Sequence, residues 1–111
     1  MSEHRLIAEV RRFLPRDAIF VVDGNRILET VQQRMPSHVP VSRLTPGKNG
    51  CMGVGVPFGI GAKLAHPDRT VVVVTGDFAF GLNAMEMETA VRVRVPILVV
   101  VSNNDGNGGG R

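Results

Sequence analysis

Two residues of this chain combine a metal-binding chemistry with a suggestive spacing. Asp77 and Asn104 each follow an apolar run rich in β-branched residues, Val71 to Val74 and Ile97 to Val101. They lie 27 residues apart (104 − 77), which leaves room for one helical crossover between neighbouring parallel strands. In doubly wound sheets, ligands bind beyond the carboxyl ends of the strands. A carboxylate, an amide oxygen and nearby backbone carbonyls are hard oxygen ligands. They suit Mg²⁺ or Ca²⁺, and Mg²⁺ in particular is often shared between protein and phosphate oxygens. Gly76 and the turn after Asp77 offer backbone N–H groups near a helix N-terminus, a cradle for a diphosphate. Taken singly, either residue reads better as a turn or cap residue. The pair at this spacing points to a metal.

The elements that must position this pair follow from periodicity. Leu6, Ile7, Val10, Phe13 and Leu14 recur at helical spacing and predict a helix over 3–14, with Ser2 as N-cap and Pro15 as stop. Residues 18–22 read as a buried strand. Asp23-Gly24-Asn25 then turns into a helix carrying Ile27, Leu28 and Val31. Residues 39–44 suggest a second strand, placed at an edge or made irregular by Pro40. After a loop at 45–50, Gly53, Gly55, Gly59 and Gly61 alternate with apolar residues, which predicts a buried helix lying close on a sheet. Pro57 fits such a helix only in its first turn, and His66-Pro67-Asp68 ends it.

Residues 70–75 and 97–101 predict two further buried strands, joined by a short loop and a helix over about 83–93. Asn83 and Glu86 there have the spacing of a capping box. Strand and helix alternate along the chain. That pattern predicts an α/β fold with a doubly wound, mainly parallel sheet and helices on both faces. Residues 108–111, Gly-Gly-Gly-Arg, read as the start of a functional loop.

Composition narrows the classes of function. The 111 residues suit one domain, 43% hydrophobic and 21% charged. Eleven arginines and two lysines face ten acidic residues, but no block of like charge forms and Trp and Tyr are absent. Nucleic acid is therefore not an expected partner. No apolar run reaches membrane-span length, so no membrane partner is expected either. Residues 2–5 read Ser-Glu-His-Arg with no cleavable hydrophobic block after them, and a cytoplasmic location is the expectation. The one cysteine, Cys51, reads as a small buried residue. His4, His38 and His66 have no metal-ligand spacing and read as surface residues.

Gly76-Asp77, followed at 27 residues by the second Asn of Asn103-Asn104, resembles the cofactor motif of the thiamine-diphosphate-dependent enzymes, usually written GDG followed by NN. The resemblance implies that Asp77 and Asn104 give side-chain oxygens to Mg²⁺ and Gly106 gives its carbonyl, the metal clamping the diphosphate of thiamine diphosphate. Phe78 stands where Gly, Ser or Ala is usual. Backbone N–H contacts from Phe78 and Ala79, beside Gly76, survive that change. The segment Gly50-Cys51-Met52-Gly53-Val54-Gly55 resembles the stretch beneath the thiazolium ring. It implies Met52 as the apolar wedge and the Gly50 carbonyl as acceptor for the aminopyrimidine.

Residues 76–89 look most like oxalyl-CoA decarboxylases and 2-hydroxyacyl-CoA lyases, with acetolactate synthases next. The resemblance runs from about residue 15 to Arg111. It implies that residues 1–111 form a single diphosphate- and Mg²⁺-binding domain of the thiamine-diphosphate-binding fold, incomplete at its C-terminus. Its partners would be a further copy in a homo-oligomer or a pyrimidine-binding domain or subunit. The substrate would be a 2-oxo acid or an acyl-CoA. In this family a glutamate from the pyrimidine-binding domain activates the cofactor. Here Glu3, Glu9, Glu29, Glu86 and Glu88 fall on predicted helices, and none is expected near a ring above Met52, so no catalytic residue is assigned. The alternative is a non-catalytic module that keeps the fold and binds a partner or a phosphate ligand.

Overall fold

The computed structural model describes residues 1–106; the tail at 108–111 lies outside them. Four strands form one sheet in the order β2-β1-β3-β4: β1 (Ile19–Asp23), β2 (Arg43–Leu44), β3 (Val71–Gly76) and β4 (Leu98–Ser102). Every pairing is parallel. The register sets Ile19 against Val71 and Val74 against Val100, and it ends with Gly76 against Ser102.

Helices α1 (Glu3–Phe13) and α2 (Arg26–Arg34) cover one face, and α3 (Gly55–Ala65) and α5 (Glu86–Arg92) the other. The two-residue period of the strands divides the core accordingly. Phe20, Val22, Val72 and Val74 pack with Ile7, Ile27, Val31 and Met35. Ile19, Val21, Val71 and Val73 pack with Ala62, and Val56 and Ile60 continue the layer towards α5. Burying both faces explains why β1 and β3 read as unbroken apolar runs.

The glycine-rich helix lies close on the sheet where expected. A Cβ on Gly59 would stand 2.5 Å from Val73 Cγ2, and one on Gly55 2.9 Å from Asp23 Cβ. Gly61 has open space instead. Pro57 is the third residue of α3, within the first turn.

Several expectations are corrected. The segment after β3 is not a loop: α4 (Asp77–Asn83) begins directly at Asp77, and α5 follows as a separate helix. Asn83 caps no helix; its side-chain N–H donates to the Gly53 carbonyl at 2.6 Å. β4 is half exposed, with Leu98 and Val101 open, because it is the sheet edge. β2 shrinks to two residues, starting three positions after Pro40. Phe13 is 79% exposed even though it belongs to the apolar stripe of α1. Cys51 is exposed because it sits in the turn before α3. The three histidines are exposed, as expected.

Candidate functional site

The sheet order reverses direction between β1 and β3. The chain moves outward from β1 to β2 on one side and from β3 to β4 on the other. Such a switch opens a crevice at the carboxyl ends of the strands. A cleft lies there. Gly24, Asn25, Arg26 and Ile27 line it after β1, Gly76 to Ala79 at the end of β3, and Ser102 and Asn104 at the end of β4. Met52 and Glu3 complete the lining.

Six of the eight residues singled out from sequence thus share one cleft: Met52, Gly76, Asp77, Phe78, Ala79 and Asn104. Gly106 joins them by a hydrogen bond, its backbone N–H donating to Asp77 Oδ2 at 2.8 Å. Gly50 is exposed and does not line the cleft; it closes a 3₁₀ turn in the left-handed conformation, φ 59°. Phe78 is 42% exposed, whereas Ala79 beside it is buried.

Asp77 occupies the first position of α4, where a carboxylate meets the positive end of the helix dipole. Its Oδ1 is buried and has no hydrogen-bond partner among the described residues. A buried carboxylate oxygen without a donor is costly unless a cation or solvent meets it. Asn104 lies two residues beyond β4 and is half-buried. Asn103 Oδ1 accepts from the Asp105 N–H at 2.9 Å, shaping the turn that brings Gly106 back to Asp77. Among the described residues no three His, Cys, Asp or Glu side chains cluster as a metal site. The donors at hand are one carboxylate, one amide and backbone carbonyls, a set that fits a hard cation and not a thiolate- or imidazole-seeking metal.

Sequence reasoning missed the other half of the cleft. Asp23, taken as a turn residue, is 1% exposed and holds the Met52 segment from below. Its Oδ2 accepts from the backbone N–H groups of Gly53 and Gly55 at 2.9 and 2.7 Å. Asn83 grips Gly53 from the other side. Gly24, at φ 125°, passes so close to β3 that a Cβ would stand 3.3 Å from the Gly76 nitrogen.

Glu3 also departs from expectation. It lies on a helix, yet α1 starts at the strand ends, so its carboxylate lines the cleft. The Thr30 hydroxyl donates to Glu3 Oε1, and the Ser102 hydroxyl donates to Oε2 at 3.0 Å. The rule that selected Asp77, a polar residue just past a buried strand, also selects Asp23 to Arg26. That signal was present in the sequence.

Residues 18–109 match the family model described as thiamine pyrophosphate enzyme, C-terminal TPP binding domain. The chain is 46% identical over 90 residues to 2-hydroxyacyl-CoA lyase 1 of Dictyostelium discoideum, covering 81% of this chain and 16% of that protein. It is 39% identical over 100 residues to the acetolactate synthase large subunit of Mycobacterium tuberculosis, covering 90% and 18%. The thiamine diphosphate-dependent 4-hydroxybenzoylformate decarboxylase of Rhodococcus jostii RHA1 superposes with a TM-score of 0.86 at 29% identity, covering 94% of this chain and 20% of that one. The chain therefore spans about a sixth of the length of the curated relatives it matches.

Proposed function

Because the chain belongs to the C-terminal TPP-binding domain family of thiamine pyrophosphate enzymes, we propose that its cleft holds Mg²⁺ and the diphosphate of thiamine diphosphate. The observation that carries this reading is the arrangement around Asp77. One carboxylate oxygen is tied to Gly106, the other is buried without a donor among the described residues, and Asn104 lines the same cleft. In this reading Asp77 and Asn104 ligate the metal through side-chain oxygens and Gly106 through its carbonyl. The N–H groups of Phe78 and Ala79, with Gly76, receive the diphosphate at the start of α4. Met52 supports the thiazolium ring, and the Gly50 carbonyl accepts from the aminopyrimidine.

When bound, the cofactor supplies a nucleophilic thiazolium carbon and an electron sink for C–C bond cleavage. The residues of this chain bind and orient it. The proposed context is a C–C lyase, decarboxylase or acyl-transferring synthase acting on a 2-oxo acid or acyl-CoA, in line with the names of the relatives. A pyrimidine-binding domain or subunit, or a further copy of this chain, would cover the open edge at β4. No helix among the described residues is long and apolar enough to cross a membrane.

Calorimetric titration with thiamine diphosphate, with and without Mg²⁺, tests the reading. Binding is expected only with the metal. Exchange of the thiazolium C2 proton, followed by NMR in heavy water, should stay at the free-cofactor rate in the isolated chain. A chain that self-associates but takes up no cofactor at all would favour a non-catalytic module with the same fold.

A further inference from the structure

We propose that Arg26 is an anion-binding residue of this cleft, pairing with the outer phosphate of the bound diphosphate and making the site select diphosphate over monophosphate. The inference rests on the reading above and extends it to a residue outside the Asp77–Asn104 motif. Arg26 opens α2, directly after the β1 turn, and lines the cleft together with Asp77 and Asn104. It is the only lysine or arginine among the described residues lining it. Its guanidinium makes no hydrogen bond or ion pair with any described residue.

A carboxylate would be its natural partner, and Glu3 lines the same cleft. Glu3 is instead hydrogen-bonded by the Thr30 hydroxyl on one oxygen and the Ser102 hydroxyl on the other, and it forms no ion pair with Arg26. Glu3 is thereby held in place without neutralising Arg26.

Charge balance favours an anionic partner. Glu3 and Asp77 both bring negative charge to the cleft, and a diphosphate ester adds several more. One Mg²⁺ beside Asp77 offsets only part of this. A guanidinium at the rim lowers the remaining repulsion, and its planar fork matches phosphate oxygens. A glutamine in its place keeps a polar, hydrogen-bonding end on a shorter side chain and removes the charge. Arg26 is exposed, so the fold does not depend on its side chain.

The experiment is calorimetry on the full chain with Mg²⁺, using thiamine diphosphate, thiamine monophosphate, inorganic pyrophosphate and unphosphorylated thiamine as separate probes. Arg26→Gln should weaken thiamine diphosphate and pyrophosphate by about five- to tenfold, the range for an exposed charge-assisted contact. It should leave the monophosphate and thiamine unchanged, and Arg26→Lys should recover part of the loss. Equal affinity of wild type and Arg26→Gln for thiamine diphosphate, while Asp77→Ala still loses it, would overturn the role of Arg26 and leave the metal site standing. If the wild-type chain binds neither diphosphate probe, both readings fall together. A loss spread evenly over all four probes would also overturn it, since that pattern marks a general structural effect.

Discussion

The Gly106 N–H reaches back across 29 positions of sequence to Asp77 Oδ2, at 2.8 Å. This bond turns the carboxylate so that its second oxygen, Oδ1, is the buried one left without a donor among the described residues. The loop after β4 thus orients the residue that opens α4. Replacing Asp77 by Ala removes the one anionic ligand of the proposed metal. The expected outcome is complete loss of Mg²⁺-dependent binding of thiamine diphosphate in calorimetry. Asn104→Ala should weaken the same binding less, because a neutral amide oxygen is the weaker ligand of a hard cation. Met52→Ala should change it least, since a ring support does not hold the charge.

Asp23 supports the Met52 segment through two charge-assisted hydrogen bonds in a buried setting. Asp23→Ala leaves the Gly53 and Gly55 amides without their acceptor. Urea unfolding should report a loss of about 3 kcal/mol, and amide exchange at both glycines should accelerate. Unchanged stability and protection would mean that the carboxylate holds nothing in place.

Two glycines of α3 should respond in opposite directions to the same change. At Gly59 a methyl group meets Val73 at 2.5 Å, and the overpacking should cost about 1–3 kcal/mol. At Gly61 nothing lies within 4 Å, and alanine should stabilise the helix by about 0.5–1 kcal/mol. Denaturant midpoints of the two variants decide the matter. A stabilised Gly59→Ala would contradict the tight approach of helix and sheet.

Among the described residues β4 leaves one row of backbone groups open, with Leu98 42% and Val101 37% exposed. Unprotected edges of this kind pair with other chains. Sedimentation at high concentration should show dimers or larger species, and Val101→Lys should shift them towards monomer. A monomer at every concentration would rule out association through this edge.

The fold was legible where burial imposes periodicity. The runs at β1 and β3 could only be central strands, since alternation disappears when both faces are covered. β4 carries the same kind of apolar run, yet it is an edge. Side-chain type reports the environment a strand is built for, and not what flanks it in the described residues. Asp77 and Asn104 were legible because both chemistry and spacing mark them. Glu3 was not, because helical periodicity says which side of α1 is apolar and nothing about which end of the sheet its first turn meets. Asn83 misled for a related reason: the box spacing is local, whereas its partner, Gly53, lies 30 residues away.

Glu3 and Ser102, 99 positions apart in sequence, meet in one hydrogen bond. This has a consequence for the order of events during synthesis. A growing chain presents Asp77 while Asn104 is still 27 residues from being added, and until then the carboxylate has neither its neighbour nor the Gly106 amide. Helix α1, made before β4, waits for it before Glu3 can take its second hydroxyl. The closure of so long a loop comes late in folding. Capture of the proposed metal would therefore wait on β4 and the turn after it, and cofactor uptake would report that this end of the sheet has closed.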